Sequence, residues 1–497
     1  MPGDTGNHTL FDATIRPVAP LRRTHERELK LAIPAGFELP DLPGEPLASR
    51  TFTSTYFDTS DRALARAGLT LRRRVESRRG LWQLKLPGEG ERLELEAPGG
   101  PGRPPDDLAR LLVGLLRGRA LDKAAVLRTR RVGVQAQEDG RAVADVTVDT
   151  VAVLDGRRIR ERFHELEAEA LDGGAAALPD LERALTDAGA VRGDGLPKAF
   201  RAMGYFPMGV TTPPGRAPAL EHVRAAFALQ VQELLAHDPG TRLGEDPEEL
   251  HQLRVATRRL RAILRAARPL LDLEWAESLR AELRWLGGAL GPVRDLDVLG
   301  EHLRVEIEAL DGRERRAAGR FVALVAGDRD AVRADMLEAM SSSRYGELLD
   351  RLEAAAAAPR AREADASLHD LAALEFRKLR KAVKTLPPDP PDDELHAVRI
   401  RGKRARYAAE LAEGAVGKTA RRFVREAKRF QDVVGEHQDA VVAEEKIRAL
   451  LERAGGEQTH LAAGRLIERE RTRRREARAA FPKAWVKLET AGRAAWS

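Results

Sequence analysis

Like-charged residues at positions i and i+2 recur in the N-terminal part of the sequence. Glu26 and Glu28 form one such pair, and Arg72 and Arg74 form another. Residues two apart on a β-strand point to the same face. Carboxylates can hold divalent metal ions, and guanidinium groups bind phosphate oxygens through charge-assisted hydrogen bonds. The spacing therefore predicts strands whose charged faces could combine metal binding with phosphate binding.

For any single strand, the simpler interpretation is that the charged face meets water and the apolar face meets a core. The pattern, however, runs through most of the segments, and the acidic and basic sets stand on different ones. A closed antiparallel sheet with its charged faces inward would form a tunnel lined by both signs. Its cations would bind a triphosphate, and its carboxylates would hold metal ions that bridge phosphate oxygens and activate water.

Several motifs resemble the CYTH family of triphosphate tunnel metalloenzymes. Residues 26–30 contain Glu-x-Glu-x-Lys, the family signature, and residues 56–59 read Tyr-Phe-Asp-Thr. Later stretches resemble the family's strands in order: Leu71–Arg74, Trp82–Lys85, Arg92–Glu96, Glu165–Glu169 and Pro197-Lys198. The resemblance covers roughly residues 24–206. It implies an antiparallel β-barrel with flanking helices, which hydrolyses triphosphate with Mg²⁺ or Mn²⁺ and forms no covalent enzyme intermediate.

The resemblance also implies roles for the positions that match. The implied metal ligands are Glu26, Glu28, Asp149, Glu165 and Glu167. The implied substrate-binding residues are Lys30, Arg72, Arg74, Lys85, Arg130 and Lys198. The implied catalytic residues are Glu26, Glu28 and Lys85. Glu94 and Glu96 are expected to line the tunnel. Asp145 and Asp149 share one strand face, so either could be the metal ligand.

A second set of cations follows helical spacing after residue 219. His251, Arg254, Arg258, Arg261 and Arg265 stand at i, i+3, i+7, i+10 and i+14, along one stripe of a helix. Like charges aligned in this way repel one another, and a polyanion would relieve the repulsion. Arginine forks also fit phosphate oxygens in a bidentate manner. The alternative is a solvated basic face.

The basic stripe is repeated within the sequence. His251 and Arg254 recur as His396 and Arg399, 145 residues later, and Asp295 recurs as Asp439 after 144 residues. This repetition predicts a duplicated helical bundle. Both copies resemble the CHAD family, which implies an α-helical domain that binds inorganic polyphosphate. The implied polyphosphate-binding residues are His251, Arg254, Arg258, Arg261, Arg265, His396, Arg399, Lys403, Arg406 and Lys428.

Composition sets the outer limits. The chain has 497 residues, no cysteine and a net charge of +6, so metal sites must use carboxylate or imidazole. The Pro- and Gly-rich stretch 208–219 predicts a linker between domains 1–207 and 220–497. The expected fold class is α+β, with a β-barrel followed by an all-α bundle. We find no signal peptide or apolar run of membrane length, so a cytoplasmic location is expected, including polyphosphate granules.

Three functions stay open at this level. The first is an inorganic triphosphatase whose helical domain binds polyphosphate. The second keeps the tunnel but acts on nucleoside or thiamine triphosphate, or is a class IV-type adenylate cyclase. The third is a non-catalytic polyphosphate-granule protein. Aromatic residues make up 4% of the chain, so no specific nucleic-acid partner is expected. The sequence leaves the oligomeric state undecided.

Overall fold

A computed structural model describes residues 21–34, 36–88, 91–207, 209–363 and 366–496. The prediction that no signal peptide is present concerns residues outside these ranges. Met208 of the predicted linker also lies outside them. The described residues form two compact units. The first runs to Arg110 and resumes over Ala120–Phe206, and the second comprises Leu111–Arg119 and the chain from Pro207 onward.

The first unit is built on one antiparallel sheet. Its strands are β1 (Arg22–Glu26), β2 (Glu28–Ala32), β3 (Gly44–Asp58), β4 (Thr70–Glu76), β5 (Arg79–Leu86), β6 (Arg92–Pro98), β7 (Asp122–Glu138), β8 (Arg141–Asp155), β9 (Arg158–Ala170) and β10 (Val191–Arg192). They are ordered β1-β6-β5-β4-β3-β7-β8-β9-β2-β10. The predicted antiparallel sheet domain is therefore confirmed.

The two ends of this sheet are linked by one short segment of chain. Only Arg27 separates β1 from β2, yet β1 pairs with β6 and β2 pairs with β9, near opposite ends of the strand order. The carbonyl of Arg27 also accepts a hydrogen bond from Ala170 N at 2.8 Å. The sheet must therefore curve back on itself, which turns one of its faces toward an interior.

Short helices accompany the sheet, and the longest of them covers part of its outer face. They are α1 (Ala63–Arg66), α2 (Asp106–Ala109), α4 (Leu178–Asp187) and α5 (Lys198–Met203). Helix α3 (Val113–Leu116) follows α2 in the chain but belongs to the second unit. Leu181 and Leu185 of α4 pack on Leu166 and Ala168 of β9. Burial of a leucine side chain contributes about 1.5–3 kcal/mol. This cover leaves the alternate residues of β9 facing inward.

The second unit is helical, as predicted. Its long helices are α6 (Ala219–Leu243), α7 (Pro247–Ala266), α8 (Leu273–Ile307), α9 (Gly312–Ser341), α10 (Ser343–Ala357), α11 (Leu368–Lys384), α12 (Asp392–Val416), α13 (Lys418–Ala454) and α14 (Glu457–Trp496). Consecutive helices pack together from α6 to α9 and again from α11 to α14, and α7 packs on α12. The duplication seen in the sequence thus repeats one packing order, with α7 and α12 in equivalent places.

Local sequence explains where α7 begins. Asp246 accepts a hydrogen bond from Glu248 N at 2.8 Å, and Pro247 occupies the first helical position. An aspartate cap followed by proline is a favoured helix start.

No helix among the described residues has both the length and the apolarity required to cross a membrane.

Candidate active site

The first unit encloses a polar cavity of about 400 Å³. The basic residues that line it are Arg22, Lys30, Arg50, Arg72, Arg74, Lys85, Arg92, Arg131 and Lys198. The acidic residues that line it are Glu26, Glu28, Glu94, Glu96, Asp145, Glu167 and Glu169. The structure therefore brings acidic and basic side chains from most strands into one cavity, as the period-two spacing predicted.

Strand alternation explains this lining. On β4, Arg72 and Arg74 line the cavity, while Leu71 points to the other face of the sheet and is fully buried. On β5, Lys85 faces the cavity and Leu84 is fully buried on the opposite side. The apolar residues thus hold the sheet against its outer cover, and the charged residues are left facing one another. Charges enclosed in this way must be paired.

A first group of paired charges centres on Lys85. Its Nζ lies 2.5 Å from Glu26 Oε2 and 3.6 Å from Glu94 Oε2. Burial and a hydrogen bond with Glu94 raise the pKa of Glu26. Burial opposes ionisation of Glu94 as well, but the hydrogen bond from Glu26 and the charges of Lys85 and Arg72 lower its pKa. Glu94 is therefore the ionised member of the pair, held by Lys85 and by Arg72, whose Nη2 lies 3.5 Å from it, while Glu26 keeps its proton more readily.

A second group centres on Lys198, the first residue of α5. Its Nζ lies 2.5 Å from Asp149 Oδ2, 3.0 Å from Glu167 Oε1 and 3.1 Å from Glu165 Oε2. Lys30 Nζ is 3.4 Å from Glu167. Burial opposes the charge of Lys198, but Glu167, Asp149 and Glu165 together raise its pKa. The late lysine identified from the sequence is thus drawn into the cavity by three carboxylates.

Arg131, and not Arg130, supplies the guanidinium of this second group. Arg131 donates to both oxygens of Asp149 at 2.8 and 2.7 Å and to Glu167 at 2.7 Å. Arg130 is exposed on the opposite face of β7. The prediction for Arg130 is therefore wrong by one position. Leu127 and Thr129 share the inward face with Arg131, so the alternation of charge along β7 indicates the wrong side.

The structure separates the roles of the two aspartates on β8. Asp149 is fully buried and bound by Arg131 and Lys198. Asp145 lines the cavity and accepts a hydrogen bond from Gln135 Nε2 at 3.1 Å. Asp149 is thus committed to cations of the protein, while Asp145 faces the cavity.

Arg92 shares the predicted charged face of Glu94 and Glu96, and the structure places its Nη1 3.1 Å from Glu28 Oε1. Sequence reasoning missed Arg50 and Phe52, which line the cavity from β3. Arg50 and Phe52 stand at even positions before Tyr56, which also lines the cavity and whose hydroxyl accepts from Arg72 at 3.2 Å. Extending the alternation back from the Tyr-Phe-Asp-Thr motif would have found them.

The predicted metal ligands form two groups and not one cluster. Across the described ranges, no three histidine, aspartate or glutamate side chains are gathered as a ready-made metal site. Their donors are nevertheless all carboxylate oxygens, which suit Mg²⁺, and Mg²⁺ commonly takes one or two carboxylates with water and substrate phosphates. Glu165 Oε2 is buried and makes no hydrogen bond, although Lys198 Nζ is 3.1 Å away. The residues present therefore fit a divalent cation.

A basic surface on the second unit unites the two stripes. Arg258 Nε of α7 donates to the hydroxyl of Tyr407 on α12 at 2.9 Å. Burial, Arg399 and Arg258 lower the pKa of Lys403 to about 8. Burial also lowers the pKa of His251, and Arg294 adds to this effect. The cations of the two stripes therefore repel one another, since Arg258 of α7 acts on Lys403 of α12.

Acids at the edge neutralise part of this surface. Arg254 donates to Asp295 at 2.7 Å, and its counterpart in the repeat, Arg399, lies 3.7 Å from Asp439. The remaining stripe residues show varied contacts. His396 Nδ1 lies 2.7 Å from Gln438 Oε1, and Arg406 lies 3.3 Å from Glu410.

Three further residues complete the predicted polyphosphate-binding set. Burial, followed by the charge of Arg284, lowers the pKa of Arg261, and burial, followed by the charge of Arg404, lowers that of Arg265. Lys428 is exposed on α13, and its charge acts on Glu413.

Comparison of the sequence with known families agrees with both predicted domain types. The CYTH domain model matches residues 24–199, and the CHAD domain model matches residues 225–448. An uncharacterized protein of Mycobacterium tuberculosis is 31% identical over 483 residues, which cover 91% of this chain and 92% of the relative. PptA from Streptomyces chartreusis is 26% identical, with a TM-score of 0.48, over 54% of this chain and 99% of that one. The CHAD domain of the plant Ricinus communis is 24% identical, with a TM-score of 0.45, over 59% and 98%.

Fold and cavity together define an antiparallel sheet domain of the triphosphate-tunnel kind, followed by an all-helical domain. The chain belongs to the CYTH–CHAD family. CYTH proteins act on triphosphates and use divalent metal ions, and CHAD domains associate with polyphosphate.

Proposed function

We propose that this protein hydrolyses inorganic triphosphate in the cavity of its first unit, with Mg²⁺ or Mn²⁺, and binds polyphosphate on its helical unit. One observation carries the catalytic part: carboxylates and cations from many strands share one cavity of about 400 Å³. A triphosphate needs several cationic partners at once, and phosphoryl transfer depends mainly on positioning and charge neutralisation. The cavity offers both.

The aromatic residues of the described lining favour an inorganic substrate. They are Phe52 and Tyr56. The guanidinium of Arg74 lies 3.9 Å from the Phe52 ring centroid, and Arg72 donates to the Tyr56 hydroxyl. Arginine covers the Phe52 ring, and both Phe52 and Tyr56 are buried, which leaves them poorly placed to stack on a nucleobase or a thiamine ring.

Substrate binding would exchange one set of anions for another. Lys30, Arg72 and Lys198 each face a carboxylate of the protein within 3.5 Å. Phosphate oxygens can replace those carboxylates as partners, because they accept the same charge-assisted hydrogen bonds. The cations then hold the phosphate chain, and the released carboxylates become available. The residues proposed to bind substrate are Lys30, Arg72, Arg74, Lys85, Arg131 and Lys198.

Glu26, Glu28, Glu165 and Glu167 would hold the divalent metal, with Asp149 supporting the second pair through Arg131 and Lys198. When bound, the metal supplies neutralisation of phosphate oxygens and activation of water. Lys85 Nζ is placed beside Glu26 to donate a hydrogen bond to a phosphate oxygen or to the attacking water. Water adds to the terminal phosphorus, the bridging P–O bond breaks, and phosphate and pyrophosphate leave.

A substrate panel tests this proposal. The full-length protein is assayed with tripolyphosphate, ATP and thiamine triphosphate, each with Mg²⁺ or Mn²⁺, and products are separated chromatographically. Release of phosphate from tripolyphosphate with the highest kcat/KM is expected. Formation of cyclic AMP, or preferred turnover of a nucleotide, would refute the choice of substrate. A complete lack of turnover would favour a binding function.

The polyphosphate part rests on the basic surface of α7 and α12. Burial and the charges of Arg399 and Arg258 lower the pKa of Lys403 to about 8, and burial together with neighbouring arginines lowers that of His251. A linear polyanion would relieve this repulsion and release counter-ions, so binding should weaken with salt. Retention on immobilised polyphosphate, measured over a series of salt concentrations, tests it.

A further inference from the structure

One carboxylate at the end of β4 joins two guanidinium groups. Glu76 Oε1 accepts from Arg50 Nε at 2.7 Å, and Glu76 Oε2 accepts from Arg50 Nη2 and from Arg74 Nη2, both at 2.7 Å. Arg50 and Arg74 line the cavity, whereas Glu76 does not. Each oxygen of Glu76 is thus occupied by arginine. This arrangement suits orienting two cations rather than holding a metal.

Arg74 is held on a second side by an aromatic ring. Its guanidinium lies 3.9 Å from the Phe52 ring centroid, and that of Arg131 lies 5.8 Å from the same centroid. The side chain of Arg74 is only 16% exposed. A planar guanidinium fixed by a carboxylate and by a ring has little freedom left, so it is ready to bind an anion without further ordering.

Three arginines gather at this place. Arg74 and Arg131 lie over the Phe52 ring, and the charges that act on Arg50 are those of Glu76, Arg131 and Asp145. Arg131 has its own partners in Asp149 and Glu167. Burial lowers the pKa of Arg74, and the neighbouring charge of Arg72 lowers it further. An anion that approaches from the cavity would therefore meet two guanidinium groups that share Glu76 and keep further N–H donors.

We propose that Arg50 and Arg74 form a distal subsite that binds one phosphate of a linear phosphate chain, and that Glu76 is the positioning residue that holds them side by side. The proposal rests on the proposed triphosphate substrate, but it concerns binding and not turnover. Arg50 and Glu76 lie outside the motifs that resemble the CYTH family, so the resemblance does not assign them.

Glu76→Gln tests the proposal, because it keeps the shape of the side chain and removes its charge. Binding of tripolyphosphate is measured by calorimetry in the presence of EDTA, so that metal-dependent turnover does not interfere. We expect roughly tenfold weaker binding, which corresponds to the loss of about one charge-assisted contact. In assays with metal, KM should rise by a similar factor while kcat changes little.

Glu182→Gln is the matched control. Glu182 also accepts from an arginine, Arg192 Nε at 2.6 Å, and its side chain is 23% exposed against 25% for Glu76, but it lies outside the cavity. This variant should bind tripolyphosphate as the wild type does. Arg50→Gln provides a second variant for the case in which Glu76→Gln does not fold, because Arg50 is half exposed and its removal leaves Glu76 paired with Arg74.

The outcomes separate this inference from the proposed function. Unchanged tripolyphosphate affinity in Glu76→Gln, or in Arg50→Gln if the first variant is unfolded, overturns the subsite even when the melting temperature falls. Wild-type protein that does not bind tripolyphosphate at all overturns it too. Weaker binding in the variants, in a protein that binds but does not hydrolyse tripolyphosphate, supports the subsite and refutes only the catalytic proposal.

Discussion

Arg258 of α7 and Tyr407 of α12 are 149 positions apart in the chain, yet the Arg258 Nε donates to the Tyr407 hydroxyl at 2.9 Å. The contact lies where the two copies of the basic stripe meet. Tyr407 is nearly buried, so the hydrogen bond fixes the arginine at the joint between α7 and α12. Two stripes that the sequence presents separately therefore form one continuous cationic surface.

Reversing charge on that surface should weaken polyphosphate binding strongly. Arg258→Glu combined with Lys403→Glu removes one cation from each stripe and adds two carboxylates. We expect at least a tenfold loss of affinity for long-chain polyphosphate, with tripolyphosphate hydrolysis retained. Lys483→Glu with Lys487→Glu makes the same change of net charge at exposed positions of α14 and should bind normally. Equal losses in both double variants would contradict a localised surface.

Polyphosphate binding should depend on pH through Lys403. Burial and the charges of Arg399 and Arg258 lower its pKa to about 8, so the side chain loses its proton as the pH rises through that value. A bound polyanion favours the charged form, and binding should therefore take up a proton above pH 8. We expect affinity to fall severalfold between pH 7 and pH 9, as measured by calorimetry. Lys403→Arg should flatten this profile, and an unaltered profile would argue against Lys403 as its source.

Removal of the Glu26 carboxylate should strongly reduce tripolyphosphate hydrolysis without affecting polyphosphate binding. Glu26→Gln takes a proposed metal ligand from beside Lys85, so tripolyphosphate turnover should fall by about a hundredfold or more. The basic surface of α7 and α12 is unaffected, and retention on immobilised polyphosphate should remain. Phosphate release and retention are measured on the same preparation. Turnover near the wild-type level would exclude Glu26 from the catalytic set.

The register of β7 can be tested with two adjacent arginines. Arg131→Gln leaves the buried carboxylates of Asp149 and Glu167 without one of their partners, which should cost about 3 kcal/mol of stability and most of the turnover. Arg130→Gln changes an exposed side chain on the other face and should alter stability by less than about 0.5 kcal/mol. Denaturant unfolding and turnover assays measure both. A larger effect from Arg130 would mean that the register is wrong.

His237 should make the helical unit more stable at low pH than at high pH. Burial opposes its charge, but hydrogen bonds with Glu233 and Glu249 raise its pKa to about 9. The folded-state pKa lies above the unfolded value near 6.5, so the stabilisation is complete below pH 6.5 and is lost as the pH rises through 9. The melting temperature of His237→Gln should thus be lower than that of the wild type at pH 6, and the difference should shrink by pH 9.5. A constant difference would contradict this linkage.

Much of the site could be read from local spacing. Period two predicts Glu26, Glu28 and Lys30 on one strand face. The structure divides this segment at Arg27 into β1 and β2, yet all three side chains line the cavity. The repeated stripe likewise predicted two equivalent helices. The same reasoning failed at Arg130 because several arginines follow one another on β7, and alternation alone does not show which of the two faces is inside.

The ion pairs between residues distant in the chain could not be predicted from spacing. Lys198 meets Asp149 across 49 positions, and Arg131 meets Glu167 across 36. Spacing in the sequence carries no information about which carboxylate each cation will reach. Those pairs depend on the order of the strands and on the positions of β1 and β2 near opposite ends of that order.

The sequence by itself determined which residues share a strand face or a helix stripe, because those periods follow from the covalent geometry of the backbone. It also determined the two domain types through their motifs. Only the tertiary structure decided that Arg131 and not Arg130 enters the cavity, that Glu76 joins Arg50 to Arg74, and that Arg258 reaches Tyr407. Strand register and helix packing set these contacts, and both result from burying apolar side chains that are distant in the chain.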